Sequence, residues 1–345
     1  MSSPPFDRYA KQVRFAPIGE QGQQRIADSS VLVVGCGALG SVVAESLVRS
    51  GVGRVRLVDR DFLELSNLQR QTLYDEEDLA TGLPKAVLAG RRLAKINSQV
   101  AVDAVVADVT HHNMAELAAG VDVIVDALDN FETRLLINDY AVSTGTPWVY
   151  GGCIGAEGQV MAILPGETPC LTALVPEPPA PGESPTCDTA GVIAPAVNVV
   201  ASFQAAEALK LLSGARNAVN RRLTSIDLWR NRVRMLDVSK LHADGTCPTC
   251  HEREFPWLRG DRGSQAVVLC GRNAVQLRAA VPGDVDLDAL AARLRPAGPA
   301  TVNAFLLRLQ AGVHTLTLFR DGRCIVSGTD DPAKARSLVA QHLGS

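Results

Sequence analysis

The sequence predicts an α/β fold: a doubly wound, mostly parallel sheet followed by a small C-terminal α+β domain. Three observations predict it. Val31 to Val34 form a short apolar run rich in β-branched residues, as a strand buried on both faces requires. Gly35, Gly37 and Gly40 follow at GxGxxG spacing, an amphipathic stretch runs to about Ser50, and a second strand, Val55 to Val58, ends at Asp59. Strand, glycine turn, helix, strand and acid in that order make a Rossmann-like βαβ unit. The third observation is a change of pattern near residue 264. Strand-like segments lie at about 266–269, 275–279, 313–319 and 323–327, and helical patterns at about 286–295 and 332–343. A turn at Asp321-Gly322 joins the last two strands. The expected division is therefore 1–263 and 264–345.

The glycines have a chemical reading as well as a structural one. They allow a tight turn, a close backbone approach to phosphate and close helix–strand packing. Phosphate would rest on the N–H groups at the helix start, and Asp59 is placed to accept from ribose hydroxyls. This predicts an adenine nucleotide, with NAD and ATP both open at this point.

Composition narrows the class. With 46% hydrophobic and 21% charged residues over 345 positions, the chain has an ordinary globular make-up. A formal net charge of -3 argues against a general nucleic-acid or membrane-surface binder. The pairs Arg91-Arg92 and Arg221-Arg222 read as solvated faces. The opening MSSPPFDRYAKQ has no apolar core, so no signal peptide is expected. No apolar run reaches about 18 residues without glycine or charge, so no membrane span is expected either. Eight cysteines in a chain this long do not make a disulfide framework. The expected location is the cytoplasm.

Residues 8–26 read as a short helical arm, on which Lys11 and Arg14 could share a face. After Asp59 comes RDFLELSNLQRQ, a polar loop that a dehydrogenase would not use. It adds Asp61 as a second carboxylate and Ser66, Asn67, Gln69 and Arg70 as donors beside the phosphate position. Arginine suits bidentate contacts with phosphate oxygens. Residues 82–96 read as a helix with Pro84 near its start, which puts Lys85 in the first turn. A cation there opposes the helix dipole and so hints at an anionic partner. Strands at 100–107 and 121–127 follow, the second running into LDNFETR. Ligands of open α/β sheets collect at the carboxyl ends of strands. Asp126, Asp129, Asn130 and Arg134 therefore sit where a metal–phosphate site would be; Asp129, in the loop, is the better candidate for Mg²⁺, and Asp126, at the strand end, is open to a structural reading. Strands at 147–151 and 158–164 continue the sheet.

From Pro165 to Thr186 the chain is proline-rich and aperiodic, as a crossing loop or lid would be. Cys187 follows, just ahead of an apolar helix read as Gly191 to Leu212. A thiol at a helix N-terminus can be a nucleophile, and a buried inert thiol fits as well. Residues 222–229 and 231–238 alternate as a hairpin. Cys247-Pro-Thr-Cys250-His251 is a CxxC knuckle, read as half a zinc site or a redox pair. The final module shows no catalytic constellation, and Cys270 with GRNAVQLR does not resemble a rhodanese active-site loop.

Together, RYxxQ, GxGxxG, DxDxxxxSNLxRQ, GLPK and DALDNFETR resemble the bacterial ThiF/MoeB/HesA adenylyltransferases, relatives of ubiquitin-activating enzymes, over about residues 6–257. The resemblance implies ATP- and Mg²⁺-dependent adenylation of the C-terminal Gly-Gly carboxylate of a ubiquitin-like sulfur-carrier protein. Pyrophosphate is released, and sulfur is later delivered to thiamine or molybdopterin synthesis from a rhodanese or a cysteine desulfurase. It implies that Gly35, Gly37 and Ala38 line the nucleotide, that Asp59 holds the ribose, and that Asp61 and Ser66 lie beside it. Asn67, Arg70 and Lys85 would hold the triphosphate, and Asp129 the Mg²⁺ with Asn130 beside it. It further implies a homodimer, in which Lys11 stands where the family usually has an arginine reaching the other subunit's ATP. Cys187 aligns with a cysteine that forms a covalent link with the carrier. The family's two CxxC pairs bind zinc, but here the first reads Cys170-Leu-Thr-Ala173. Only Cys170, Cys247 and Cys250 remain, with His251 the nearest fourth ligand in sequence. Three rival readings are a relative activating another substrate such as modified tRNA, an NAD-dependent oxidoreductase, and a binding scaffold without catalysis.

Overall fold

The computed structural model describes residues 6–179, 187–263, 266–269, 273–277 and 285–343. Residues 180–186 of the proline-rich stretch, Cys270, and 278–279 of an expected strand lie outside these. The chain forms two compact units. Met1–Pro178 with Val192–Arg262 make the larger, and Pro179–Gly191 with Gly263–Ser345 the smaller.

Eight strands form one sheet in the larger unit. They are β1 (Ser30–Val34), β2 (Arg54–Asp59), β3 (Ala101–Val106), β4 (Val123–Asp126), β5 (Trp148–Ile154), β6 (Glu157–Ile163), β7 (Leu223–Asp227) and β8 (Arg232–Leu236). Their order is β3-β2-β1-β4-β5-β6-β7-β8. The first five run parallel, and β6, β7 and β8 add on antiparallel. Strand order reverses between β1 and β4, so the binding crevice of such a sheet opens at their carboxyl ends.

The apolar strands are explained by the two cores they serve. Val31 and Val33 of β1 enter one core with Val55, Leu57, Val123 and Val125, while Leu32, Val34, Val58 and Ile124 enter the other. Each of these side chains is almost fully buried, which contributes roughly 1.5–3 kcal/mol apiece. Helices α1 (Gly19–Asp28), α2 (Ala38–Arg49), α3 (Lys85–Ile96), α4 (Phe131–Thr144) and α5 (Ala194–Leu212) cover the sheet. Leu39, Val43 and Leu47 of α2, Leu88 and Leu93 of α3 and Val197 and Val200 of α5 share the first core. Leu135, Leu136 and Ile137 of α4 pack in the second with Cys170 and Cys247. Among the described residues no helix is long and apolar enough to cross a membrane.

Three expectations are corrected. The N-terminal arm is broken into Asp7–Tyr9, Ala10–Val13 and α1. The long apolar helix begins at Ala194 rather than Gly191. Gly191 adopts φ +73, Val192 bridges Gly155, and Ile193 is the extended N-cap. Cys187 instead opens a separate helical turn, Cys187–Ala190, rather than preceding the long helix directly. The sequence pattern also gives no sign of α4. Its buried residues include Thr133, Arg134, Asn138 and Asp139, so no apolar stripe marks it.

Asp139 secures the chain after the CxxC knuckle to α4. Its Oδ2 accepts from Trp257 N at 2.9 Å and Leu258 N at 3.3 Å. Burial raises its carboxyl to about 6 against those two bonds. The folded state therefore holds a proton that the unfolded chain releases, and stability falls as pH rises from about 4 to 6. Asp139→Asn keeps an acceptor oxygen and cannot ionise. The variant is expected to gain on the wild type across this window, by up to about 3 kcal/mol above it. Paired denaturant titrations at pH about 4 and 8 measure this, and an unchanged difference between the two proteins would refute it.

In the smaller unit, β9 (Ala266–Leu269), β10 (Ala274–Leu277), β11 (Ala300–Val302), β12 (Leu306–Ala311), β13 (His314–Phe319) and β14 (Cys324–Ser327) form an antiparallel sheet. Its order is β11-β12-β13-β14-β10-β9. Helices α6 (Leu287–Leu294) and α7 (Pro332–Leu343) supply Leu287, Leu294 and Ala335 to its core. The sequence analysis did not assign β11 or β12. In β12, Leu307, Leu309 and Ala311 point inward and Arg308 and Gln310 outward, a period-two signal that was present in the sequence.

Candidate active site

The glycine loop is shaped by contacts that leave no room for side chains. Gly35 adopts φ +98, and a Cβ there would lie 2.6 Å from the Ala127 carbonyl oxygen. A Cβ on Gly40 would fall 1.9 Å from the Gly35 carbonyl oxygen. Gly37 is the N-cap of α2 and Ala38 its first residue. Neither offers a capping side chain, so the first N–H groups of the helix remain available to an anion. Cys36 between the glycines is buried, and burial, then Asp59, push its thiol well above the ordinary range.

Asp59 braces this loop. Its Oδ2 accepts from Cys36 N and its Oδ1 from Asp61 N, both at 2.6 Å. Burial and then the Asp61 carboxylate raise its pKa, with Lys85 opposing them. Lys85 is the first residue of α3 and is buried. Its Nζ lies 3.8 Å from Asp61 Oδ2, and its backbone N–H donates to the Asp61 carbonyl at 2.9 Å. A buried cation is thus held beside the Asp61 carboxylate at the start of α3.

The polar loop forms a short 3₁₀ turn, Leu65–Asn67. Asn67 is buried and its Oδ1 accepts from Glu64 N at 3.1 Å. Arg70 is half-buried and donates from Nη1 to the Ser66 carbonyl at 2.8 Å, while Ser66 is exposed. At the end of β4, Asp126 and Arg134 pair at 3.0 Å, both buried. Arg134 Nη2 also donates to the Leu128 and Gly151 carbonyls, at 2.5 and 2.8 Å. This pair is scaffolding that fixes the loop carrying Asp129. Asp129 itself is exposed, and Asn130 caps α4 by accepting from Thr133 N at 2.9 Å. Lys11 lies exposed on the N-terminal helical turn.

Three contributors escaped the sequence analysis. Arg60 is half-buried and pairs with Asp108 at 2.9 Å. Burial disfavours its charge, but Asp108, Asp61 and Asp129 outweigh that and hold its pKa above the ordinary value. The buried Tyr74 hydroxyl donates to the Cys36 carbonyl at 2.7 Å, with the Lys85 carbonyl 3.2 Å away, tying the glycine loop to α3. Gln71 is buried, its Oε1 has no hydrogen-bond partner among the described residues, and its Nε2 is 3.7 Å from where a Gly37 Cβ would stand. Arg60 and Gln71 stand at the two ends of the RDFLELSNLQRQ stretch, which singled them out only as part of a motif; the contacts of Tyr74 depend on long-range packing.

A second cluster lies where the CxxC knuckle meets the turn after β6. The sulfurs of Cys170, Cys247 and Cys250 lie within 4.8 Å of one another, and Cys170 and Cys247 are 3.6 Å apart. Tetrahedral zinc with bonds of about 2.3 Å places its sulfurs roughly 3.8 Å apart. Hydrogen bonds from Cys170 and then Cys250 hold the Cys247 thiol well below its ordinary range; the contact with Cys247 raises Cys170, and contacts with Cys170 and then Cys247 raise Cys250. Three cysteine sulfurs at this spacing are a donor set that fits a divalent cation able to displace their protons.

The ThiF family model matches residues 9–249. The Bacillus subtilis (strain 168) sulfur carrier protein ThiS adenylyltransferase is 46% identical over 338 residues, covering 98% of this chain and 99% of the relative. The sulfur carrier protein adenylyltransferase of Thermus thermophilus is 43% identical over 250 residues, 71% of this chain and 90% of the relative. Among solved structures, E. coli MccB with MccA-N7isoASN superposes with a TM-score of 0.60 at 23% identity, over 68% of this chain and 72% of that one, a likeness of fold. The sequence motifs, the reversal of strand order at the glycine loop and these relatives agree: the chain belongs to the ThiF family.

Proposed function

We propose that this protein uses ATP to adenylate the C-terminal Gly-Gly carboxylate of a ubiquitin-like sulfur-carrier protein, releasing pyrophosphate, and that it serves thiamine synthesis. The observation that carries the reading is Lys85, buried at the start of α3 and held 3.8 Å from Asp61 beside the glycine loop. A dinucleotide oxidoreductase has no triphosphate for such a cation to meet. The sulfur-carrier substrate is supported by the full-length relative in B. subtilis. The open edge strand β8, with Val233, Met235 and the nearby Trp229 exposed, suits a protein substrate better than a metabolite.

In this reading the backbone of Gly35, Gly37 and Ala38 lines the nucleotide and Asp59 accepts from the ribose. Carboxylate attack at the α-phosphorus brings one anion towards another, so fixed cations must offset the repulsion. Arg70 and Lys85 stabilise the charge that leaves with pyrophosphate, and Asn67 donates to the phosphates. Asp61 and Ser66 complete the rim, and Asn130 positions the Asp129 loop. Asp129 holds Mg²⁺, which supplies charge neutralisation at the phosphates. No general base is needed, because the attacking carboxylate is already ionised at neutral pH. Zinc on Cys170, Cys247 and Cys250 secures the knuckle to the turn after β6. The enzyme works as a homodimer in which Lys11 reaches the partner's triphosphate, and a rhodanese or cysteine desulfurase donates the sulfur.

Carrier-dependent exchange of labelled pyrophosphate into ATP tests the reading. Exchange is expected with a Gly-Gly-ended carrier and absent with a carrier lacking those residues; exchange independent of the carrier would refute it. Cys187 takes a covalent link with the carrier only after adenylation, with AMP leaving. Cys187→Ala is therefore expected to keep exchange near wild type and to abolish any thiol-sensitive adduct on gels.

A further inference from the structure

Cys250 belongs to two clusters at once. One is the three-thiol group with Cys170 and Cys247; the other joins its sulfur to ring nitrogens of His242 and His251, again within 4.8 Å of one another. The two imidazoles have different surroundings. His251 Nδ1 lies 3.4 Å from Cys250 Sγ, and the residue is next to Cys250 in the chain. Two consecutive residues reach opposite sides of a metal only with difficulty, whereas a ring N–H aimed at a thiolate sulfur is a common outer contact. His242 comes from the preceding turn, Ser239–Ala243, and its ring packs 5.1 Å from that of His251. Its Nδ1 is buried and has no hydrogen-bond partner among the described residues. Leaving such a nitrogen unpaired is unfavourable, and a bound metal would satisfy it.

We propose that His242 is the fourth ligand of a Cys3His zinc site with Cys170, Cys247 and Cys250, in place of the missing cysteine at Ala173, and that His251 donates to the Cys250 sulfur from outside. This rests on the zinc reading above. The spacing His242-x4-Cys247-x2-Cys250 forms a short loop of the kind that wraps such an ion. A site closed by four protein ligands leaves no position for water, which makes the ion structural.

The test uses the full chain purified without chelators. Metal analysis is expected to find one zinc per chain, and X-ray absorption at the zinc edge to show three sulfurs at about 2.3 Å and one imidazole nitrogen at about 2.0 Å. In His242→Ala the imidazole signal is expected to disappear, and affinity in a chelator competition to fall by more than the roughly 10–100-fold that loss of an outer partner costs. His251→Ala is expected to keep the imidazole signal. His242→Cys is expected to give a four-sulfur shell and so guards against simple misfolding of the alanine variant. Loss of the imidazole signal in His251→Ala alone, or a wild-type shell without imidazole, would overturn the assignment of His242 while leaving zinc in place. Wild-type protein without zinc would overturn the zinc reading itself.

Discussion

Arg70→Ala is expected to lower carrier-dependent pyrophosphate exchange by about 10²-fold or more, the usual cost of losing a group that stabilises developing charge. The geometry supports a loss of chemistry rather than of fold. Arg70 is half-buried and spends one nitrogen on the Ser66 carbonyl, a contact within its own loop. Its remaining N–H groups suit the non-bridging oxygens of a phosphate. Thermal stability should therefore change little while exchange collapses. Asp129→Ala belongs in the same experiment, because its exposed carboxylate carries no packing. Arg70→Lys separates charge from geometry: partial recovery is expected, since lysine keeps the charge and loses the planar fork. Exchange undiminished in both Arg70→Ala and Asp129→Ala would overturn the assignment of the phosphate site.

Arg134→Met is expected to destabilise the larger unit by about 3–5 kcal/mol, because it leaves Asp126 buried without its partner. Arg134 also satisfies the Leu128 and Gly151 carbonyls and lies 5.4 Å and 5.3 Å from the ring centres of Phe131 and Tyr150. Gln204 of α5 donates to the Asp126 carbonyl at 2.5 Å, so three elements converge on this one strand end. Burial raises the Asp126 carboxyl, and Arg134 is the largest force opposing that rise. Adding Asp126→Asn to Arg134→Met should recover part of the loss, since the stranded charge is removed. Urea unfolding of the single and double variants measures this. A single-variant cost under about 1 kcal/mol would show that the pair does not brace the Asp129 loop. Exchange activity should fall in Arg134→Met even at temperatures where the protein is folded, because the Leu128 carbonyl loses its anchor.

The sequence by itself determined the central βαβ unit, because strand, turn and helix are local features with strong periodicity. Val31–Val34 needs only apolar residues on both faces, and Gly35 and Gly40 are demanded by backbone contacts that no side chain could survive. The positions of Asp59, Asn67, Arg70, Lys85 and Asp129 were legible through local motifs: Asp59 ends β2, Asn67 and Arg70 lie in the polar loop after it, Lys85 opens α3 and Asp129 follows β4. Only the tertiary structure decided how these groups are held. Asp59 turned out to brace Cys36 and Asp61 through its carboxylate oxygens, and Asn130 to cap α4. Helix α4 was invisible because its buried face carries Arg134, Asn138 and Asp139, whose partners include Gly151, Leu171 and Trp257 beyond the helix. The start of α5 moved because Val192 pairs with Gly155, a contact that no local propensity encodes. The three thiols and two imidazoles come from separate stretches, Cys170 on one side and residues 242–251 on the other. Spacing along the chain identifies such groups, but only the fold brings Cys170 to the knuckle and leaves the His242 nitrogen buried without a partner.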